Sequence, residues 1–275
     1  QRLIKPQVYN WIHDSIHEVI HMDYKDLQKG TPFPQAVTEF IEWCGEEYVF
    51  FTWGNQDVME LQRNMKYYQK LSLIPGPVKY YDVQKLFALR YEENQERRAL
   101  EFAAQKMGVE KKMDFHRALG DAYYTACVLQ KIEDEYILSN FSLDVYQNPK
   151  SRKEEIRISY PDHDKYVSRE FNSRERVMKD REVTSTRCPL CHNPAKRKIR
   201  WFMNNSKVYF SISLCQEHGY ILGKVRIRKT EENMYYAIKT LKNVGDKEAE
   251  EVRLKREAHR ARKKAKKAEE DRSNV

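Results

Sequence analysis

Apolar residues in the first half of the chain follow two alternating spacings. Residues 31–44 place apolar side chains three and four positions apart behind a proline, which predicts an amphipathic helix. Residues 48–53, YVFFTW, form a continuous apolar run, which predicts a strand buried on both faces of a sheet. The alternation returns as a strand at 78–83 and a helix at 95–108 that ends at a glycine. Strands that alternate with helices predict an α/β layered domain over residues 1–140.

The second half of the chain is more polar. Residues 141–187 are charged and weakly periodic, which predicts a long connection. Alternating apolar residues at 198–202 and 208–214 predict two strands joined by the turn MNNS, within a small β module spanning 188–230. Residues 231–275 favour helix and contain the run RARKKAKK, which predicts a charged, mostly helical basic tail.

Charge separates the two halves further. The chain has 275 residues, 40% of them hydrophobic, and a formal net charge of +9. Through residue 140 it carries 17 Lys and Arg against 21 Asp and Glu, so the positive charge is concentrated in the second half. A basic half predicts a polyanionic partner, nucleic acid first, although a solvated charged surface would give the same count. The sequence has no apolar run of about 18 residues, so we expect no membrane-spanning segment.

The five cysteines fall into two groups. Cys44 and Cys127 lie in apolar helical patterns and are expected to be buried thiols. The other three, Cys188, Cys191 and Cys215, cluster in sequence. An odd count with one C-x-x-C pattern argues against a secreted disulfide framework and favours a metal site in a reducing compartment, the cytoplasm.

CPLC and CQEH supply two pairs of metal ligands. Cys188 and Cys191 form the first pair and Cys215 and His218 the second, with 23 residues between the pairs. Two chelating turns around a β-hairpin predict a zinc ribbon with one structural Zn²⁺, and the metal is expected to supply most of its folding free energy. His192 as a ligand and a redox role for the C-x-x-C pair are the alternatives.

Basic residues and an aromatic residue surround this module. The candidates for contacting nucleic acid are Lys196, Arg197, Lys198, Arg200 and Trp201. Cations would bind phosphates and an indole would stack on unpaired bases. Alternatively, the aromatic residues form the small core of the ribbon, and the basic tail only keeps a helix solvated.

Two acidic residues in the first half stand where ligands bind. Asp57 follows the strand 48–53, and α/β sheets bind ligands outside the carboxyl ends of their strands. The structural alternative is that Asp57, with Glu60 three residues later, caps a helix. In DFHRALGDAYYTACVLQ, Asp121 shares a helical stripe with core residues, and a buried carboxylate needs a partner. His116 can reach it only if the helix begins after His116; a lone Asp satisfied by a hydroxyl or an arginine is the alternative.

These segments together resemble a known family. FFTWGNQDVMEL is similar to the second motif, and HRALGDAYYTA to the third, of the DEDDh 3′–5′ exonucleases, which belong to the proofreading-exonuclease and ribonuclease T-like superfamily. The W-G-x-x-D form resembles the branch of small-RNA-trimming and histone-mRNA exonucleases. LIKP and the order of elements also fit. The resemblance covers roughly residues 1–138 and implies a ribonuclease H-like fold, with a mixed central sheet flanked by helices.

The resemblance also implies a reaction. In this family four carboxylates hold two Mg²⁺ or Mn²⁺ ions at the scissile phosphate, so Asp57 and Asp121 would be metal ligands and His116 the general base. The substrates would be the 3′ ends of single-stranded RNA or DNA.

One family motif has no counterpart in these residues. The first motif, D-x-E, should precede LIKP, and the chain opens at Gln1. We expect the sequence to begin partway into a longer polypeptide and, without two of the four carboxylates, to be a poor catalyst. The alternative function is a noncatalytic zinc-ribbon nucleic-acid-binding protein on a degenerate exonuclease fold.

Overall fold

The computed structural model divides the chain into two compact units, Gln1–Gln147 and Asn148–Val275. It describes residues 1–14, 17–18, 22–93, 95–203 and 208–273, with side chains up to residue 265. The predicted turn MNNS lies, beyond its first residue, outside the described residues.

The first unit contains five strands and seven helices among its described residues. They are β1 (Ile4–Lys5), α1 (Tyr24–Leu27), β2 (Thr31–Pro32), α2 (Phe33–Cys44), β3 (Phe50–Thr52), α3 (Asp57–Tyr67), β4 (Val78–Asp82), α4 (Val83–Tyr91), α5 (Leu100–Lys106), α6 (Ala118–Leu129), α7 (Asp134–Ser139) and β5 (Ser142–Asp144). The expected alternation of strands and helices is therefore present, but α4 was not predicted and the helix expected over 95–108 is the shorter α5.

A mixed three-stranded sheet lies at the centre of this unit. Its order is β3-β4-β5, with β3 parallel and β5 antiparallel to β4. Strand β4 is the buried strand, since four of its five residues are buried, whereas β3 is an edge strand with Phe51 41% exposed. The expectation that the YVFFTW strand is buried on both faces is therefore wrong, because an apolar run does not by itself distinguish central from edge strands.

Helices cover the sheet through two apolar clusters. One joins α4, α5 and α6 around Phe87, Ala103 and Tyr124. The other joins α2 and α3 to the sheet around Val37 and Met65. The free thiols Cys44 and Cys127 are half-buried in their helices, so their expected full burial is wrong.

The second unit is built on one antiparallel sheet. Its elements are β6 (Ile156–Ser159), β7 (His163–Val167), α8 (Arg174–Lys179), α9 (Arg181–Thr184), β8 (Lys196–Met203), β9 (Val208–Cys215), β10 (Gly219–Lys229), β11 (Tyr235–Val244) and α10 (Asp246–Ser273). The sheet order is β6-β7-β11-β10-β9-β8, and every neighbouring pair is antiparallel.

Helices pack on both faces of this sheet. Successive residues of a strand face opposite sides, so Val225 of β10 packs with α8 and α9, while Leu222 packs against α10. Val177 and Val183 are the buried residues of α8 and α9, and α10 contributes Ala249 and Val252. The unit therefore has a core of its own.

The structure divides the second half differently from the sequence analysis. The expected connection 141–187 contains β5 of the first unit and the strand pair β6-β7 of the second. The strands of the 188–230 module are part of the six-stranded sheet. Residues 235–244 form a strand, so the expected helix begins only at Asp246. Short polar-faced strands lack the long periodic pattern that identifies a strand in a sequence. No helix in the described part of the chain is long and apolar enough to cross a membrane.

Candidate functional site

A buried tyrosine holds the loop that precedes α6. The Tyr124 hydroxyl accepts the backbone N–H groups of Lys112 and Met113, at 2.9 and 2.8 Å, and donates to the carbonyl of Met113 at 2.7 Å. Its ring stacks on Phe115 with the ring centroids 4.3 Å apart. Tyr124 thus fixes residues 112–115, directly before His116. The sequence analysis did not identify this role, although a tyrosine within an apolar helical pattern is a signal for a buried hydrogen bond.

Gly120 allows the loop to approach α6. A Cβ atom at this position would lie 2.3 Å from the backbone oxygen of Asp114. The backbone of the preceding loop therefore packs directly against α6 at this glycine.

His116 and Asp121 are brought together at the start of α6. The helix begins at Ala118, after Arg117 as N-cap, so His116 lies before the first turn as expected. The backbone N–H of His116 donates to Oδ1 of Asp121 at 3.1 Å, and His116 adopts a left-handed conformation with φ of 64°. His116 is exposed and Asp121 half-buried, so the expected full burial of Asp121 is wrong. The pair therefore faces solvent.

Asp57 lies close to two other carboxylates. It is the first residue of α3, where Gln56 is the N-cap and no side chain caps the helix, so its carboxylate is not used as a helix cap. Loss of solvent raises the pKa of Asp57, and the negative charges of Asp82 and Asp121 raise it further. Asp57 and Asp121 are therefore near each other, as the two motifs imply.

Asp82, which the sequence analysis did not identify, has a structural role. It is 2% exposed and caps α4 by accepting the N–H of Lys85 at 2.8 Å. Its other oxygen accepts from Arg97 at 2.8 Å. Asp82 is thus neutralised by a cation, whereas Asp57 and Asp121 form no ion pair with a lysine or arginine among the described residues.

These side chains suit a cationic ligand. Two carboxylates without a counter-ion repel each other, and a divalent cation between them would relieve that repulsion.

The comparisons with known proteins concern this first unit. Residues 1–129 match the family model RNase_T, described as an exonuclease. The N-terminal unit carries an RNase_T exonuclease domain. The matched segment holds Asp57, His116 and Asp121, and its mixed sheet with flanking helices agrees with the expected ribonuclease H-like domain. Comparison with curated proteins and with solved structures gives no match.

Beyond the RNase_T domain, the second unit gathers the four predicted zinc ligands. Cys188 and Cys191 lie before β8, and Cys215 and His218 lie in the turn from β9 to β10. Their ligand atoms all lie within 4.8 Å of one another, the one such group of His, Cys, Asp and Glu among the described residues. His192 is outside this group, so the alternative ligand is excluded.

The separations fit a tetrahedral metal. Sγ of Cys191 and Sγ of Cys215 are 3.6 Å apart, and Sγ of Cys215 and Nδ1 of His218 are 3.8 Å apart. A tetrahedral Zn²⁺ with bonds of about 2.3 Å to sulfur would place its ligands roughly 3.8 Å apart, whereas a disulfide needs about 2.0 Å. All four side chains could therefore hold one zinc ion.

Backbone and side-chain donors surround the sulfur atoms. The N–H groups of His218 and Glu217 lower the pKa of Cys215 to about 6, because they stabilise its thiolate. The pKa of Cys191 is raised: the N–H of Asn193 lowers it, but loss of solvent and the neighbouring sulfur atoms outweigh that effect.

Asn243 of β11 also contributes to this centre and was missed by the sequence analysis. Its amide donates to the His218 carbonyl at 3.2 Å and lies 3.9 Å from Sγ of Cys188. It comes from a strand outside the predicted ribbon, so no local pattern could identify it.

The Cys₃His group is continuous with the sheet. Cys188 and Cys215 pack with Ile221 and Leu241 in one apolar cluster, and two further clusters lie in the same unit. The expectation that zinc supplies most of the folding free energy therefore does not hold for the strands, because their core does not depend on the ligands.

The candidate nucleic-acid residues lie on β8, an edge of the six-stranded sheet. Lys196, Lys198 and Arg200 are exposed. Cations on an edge strand also prevent pairing with other chains, which is a structural reason for their presence. Arg197 donates to the carbonyl of Thr184 at 2.8 Å and so stabilises the end of α9.

Trp201 has a structural role instead of the expected stacking role. Its indole N–H donates to the carbonyl of Thr184 at 2.9 Å, and its half-buried ring packs in the cluster around Val225. Gly223 leaves room for the ring, since a Cβ there would lie 2.6 Å from Cη2 of Trp201. The alternative, an aromatic residue of the core, therefore describes Trp201 better than a base-stacking platform does.

Proposed function

We propose that the protein is a DEDDh-type 3′–5′ exonuclease that hydrolyses phosphodiester bonds at the 3′ end of single-stranded RNA or DNA. One observation carries the proposal: within an RNase_T exonuclease domain, the charge of Asp121 acts on Asp57, neither carboxylate has an ion pair among the described residues, and the backbone N–H of His116 donates to Asp121.

Each of these three residues has its own role in the proposed reaction. Asp57 and Asp121 would provide oxygen ligands for Mg²⁺ or Mn²⁺ ions, and these ions would supply positive charge to the phosphate and a more acidic water. His116 lies in the loop held by Tyr124 and takes up a proton as general base. Its exposure gives a substrate access to the imidazole.

The second unit would bind the strand that the first unit shortens. Its Cys₃His group holds one structural Zn²⁺ in this proposal, and its basic surface supplies phosphate contacts. All five cysteines are free thiols, which agrees with a reducing, cytoplasmic location.

A nuclease assay on the full gene product that contains this chain tests the proposal. With Mg²⁺ or Mn²⁺, a 5′-labelled single strand should shorten from its 3′ end, and His116→Ala should slow this by roughly 10²-fold or more. His13→Ala changes another exposed histidine of the same unit and should leave the rate unchanged. Equal rates in the wild type and His116→Ala would exclude His116 as the base.

A noncatalytic nucleic-acid-binding protein is the second candidate. The environment of the third carboxylate near Asp57 favours this candidate. That carboxylate, Asp82, already accepts hydrogen bonds from the Lys85 backbone N–H and from Arg97, so it is not available to a metal ion. A full gene product that binds single strands and never shortens them, with either metal, would support this candidate.

A further inference from the structure

One face of helix α10 is apolar near the start of the helix and basic further along. Ala249 and Val252 are buried against the sheet, and the same 3-4 spacing continues through Arg256, His259 and Lys263. Residues at this spacing share one helix face. In the first turns of α10 this face packs on the sheet. Further along the helix, near β8, the same face carries basic residues.

A groove of about 760 Å³ lies between this cationic stripe and the edge strand β8. Its lining residues are Arg200, Trp201, Phe202, Arg256, Glu257, His259, Arg260, Ala261, Lys263 and Lys264. The ladder between β8 and β9 is irregular between Ile199 and Phe202, and such a bulge redirects side chains, here including Arg200. The Phe202 ring lies 6.0 Å from the ring of His259 across the groove.

The cations of the groove form no ion pairs with the side chains that the structure describes. Five lysines and arginines line it beside one acid, Glu257, and none of the five has an ion pair among the described side chains. Burial lowers the pKa of Arg256, and the positive charges of Arg260 and Arg200 lower it further. Like charges from a strand and a helix thus converge, which costs free energy unless an anion lies between them.

We propose that this groove binds the sugar-phosphate backbone of a single nucleic-acid strand. Cations lie on both walls, so a strand between them would place its phosphates against guanidinium groups on two sides. The volume of about 760 Å³ is in the range of small-ligand pockets, and the proposed occupant is therefore a single strand, with a duplex as the alternative that the competition experiment tests. The choice of nucleic acid over other polyanions rests on the proposed function of the exonuclease domain.

Binding without hydrolysis tests this groove. The full chain, without added Mg²⁺ or Mn²⁺, is titrated into a labelled single strand of about 15 nucleotides, and fluorescence anisotropy gives Kd at several salt concentrations. The slope of the logarithm of the binding constant against the logarithm of the salt concentration, here called the salt slope, reports the number of phosphate contacts. Each lost contact should lower its magnitude by about 0.7, so Arg256→Gln with Arg260→Gln should lower it by about 1.4. At about 0.1 M salt this corresponds to binding that is about 25-fold weaker.

Matched variants separate the groove from general charge. Lys153→Gln with Lys179→Gln removes the same charge from exposed positions of the same unit and should leave the slope unchanged. Arg256→Lys with Arg260→Lys keeps the charge and should retain most of the slope, which controls for helix stability. An equal loss in the groove and control pairs would overturn the proposal.

Competitors decide the class of ligand. A duplex or poly-glutamate at equal charge concentration should compete poorly, and equal competition by either would overturn the assignment to a single strand. Because no hydrolysis is measured, a negative nuclease assay leaves this result standing. Conversely, intact binding by the Arg256 and Arg260 double variant would reject the groove and leave the proposed nuclease activity untouched.

Discussion

At the scale of single residues, the chemistry of the first unit depends on which carboxylates lack a partner. Sequence left open whether Asp57 is a ligand or a helix cap. In the structure Gln56 takes the N-cap position and the Asp57 carboxylate caps nothing, whereas Asp82 both caps a helix and binds Arg97. Two aspartates that look alike in sequence thus differ in charge environment, and only one is available to a cation.

Asp57→Asn should stabilise the protein at neutral pH in the absence of divalent ions. Because the folded-state pKa of Asp57 is raised, the ionised form costs stability above the unfolded-state pKa of about 3.9, and this cost disappears as the pH falls below it. Asp57 has lost part of its solvent but keeps enough for its charge to be screened, so we expect a gain in the free energy of unfolding of a few tenths of a kcal/mol, at most about 1.

Urea unfolding of the Asp57→Asn variant between pH 4 and pH 8 measures this gain. Glu47→Gln, which changes an exposed carboxylate in a loop of the same unit, serves as the control and should give no gain. A destabilised variant at pH 7, or a gain that grows towards acid pH, would contradict the assigned environment. Saturating Mg²⁺ should reverse the order of stability if Asp57 is a ligand.

At the scale of elements, the position of Trp201 is set by the sheet, because its ring extends from β8 across β9 to Gly223 of β10. The ring lies over Gly223, and its indole N–H reaches α9, so three elements meet at one side chain. The carbonyl end of α9 also accepts from Lys239, a buried lysine of β11 bonded to the carbonyls of Glu182 and Ser185. Donors from different strands thus satisfy the last carbonyls of one helix.

Gly223→Ala should destabilise the second unit by about 1–3 kcal/mol, because the added Cβ would lie 2.6 Å from the Trp201 ring and 2.5 Å from Oγ of Ser211. Thermal unfolding measures the loss. In a Trp201→Leu background the added cost of Gly223→Ala should shrink, since the ring that it meets is gone. Equal costs in both backgrounds would mean that Trp201 does not pack on Gly223.

At the scale of the whole molecule, two units with separate cores hold two separate kinds of site. The RNase_T domain carries the carboxylates and His116, and the unit Asn148–Val275 carries the Cys₃His group and the cationic groove. The metal ligands of the second unit cross-link two turns at one end of a sheet whose other strands have their own apolar clusters.

Removal of zinc should therefore loosen only part of the second unit. Cys215→Ser, or a chelator, should abolish bound zinc and speed hydrogen exchange in the turns 188–193 and 215–219, while β6 and β7 and the whole first unit stay protected. Zinc analysis and exchange mass spectrometry measure both effects. Cys44→Ser is the control and should keep one zinc per chain. Complete unfolding of the second unit, or no change, would contradict this arrangement.

The outcome of the sequence predictions follows the range of the interactions involved. Helices α2 and α3, strand β4 and the four zinc ligands were predicted because their signals are local: apolar spacing within one helix, and ligand pairs three residues apart. The order in which the strands of the second half pair depends on residues far apart in sequence, such as Tyr166 and Lys239, and no local pattern specifies such pairs.

By itself the sequence determined the family motifs, the alternation of elements in the first unit and the identity of the zinc ligands, since each needs only neighbouring residues. The tertiary structure alone decided that β3 is an edge strand, that Trp201 is packed and not displayed, and that Arg200 and α10 line one groove. These properties depend on which distant surfaces meet. The burial of a side chain and the electric field acting on it depend on all of its neighbours in space. A sequence pattern contains information only about its neighbours along the chain.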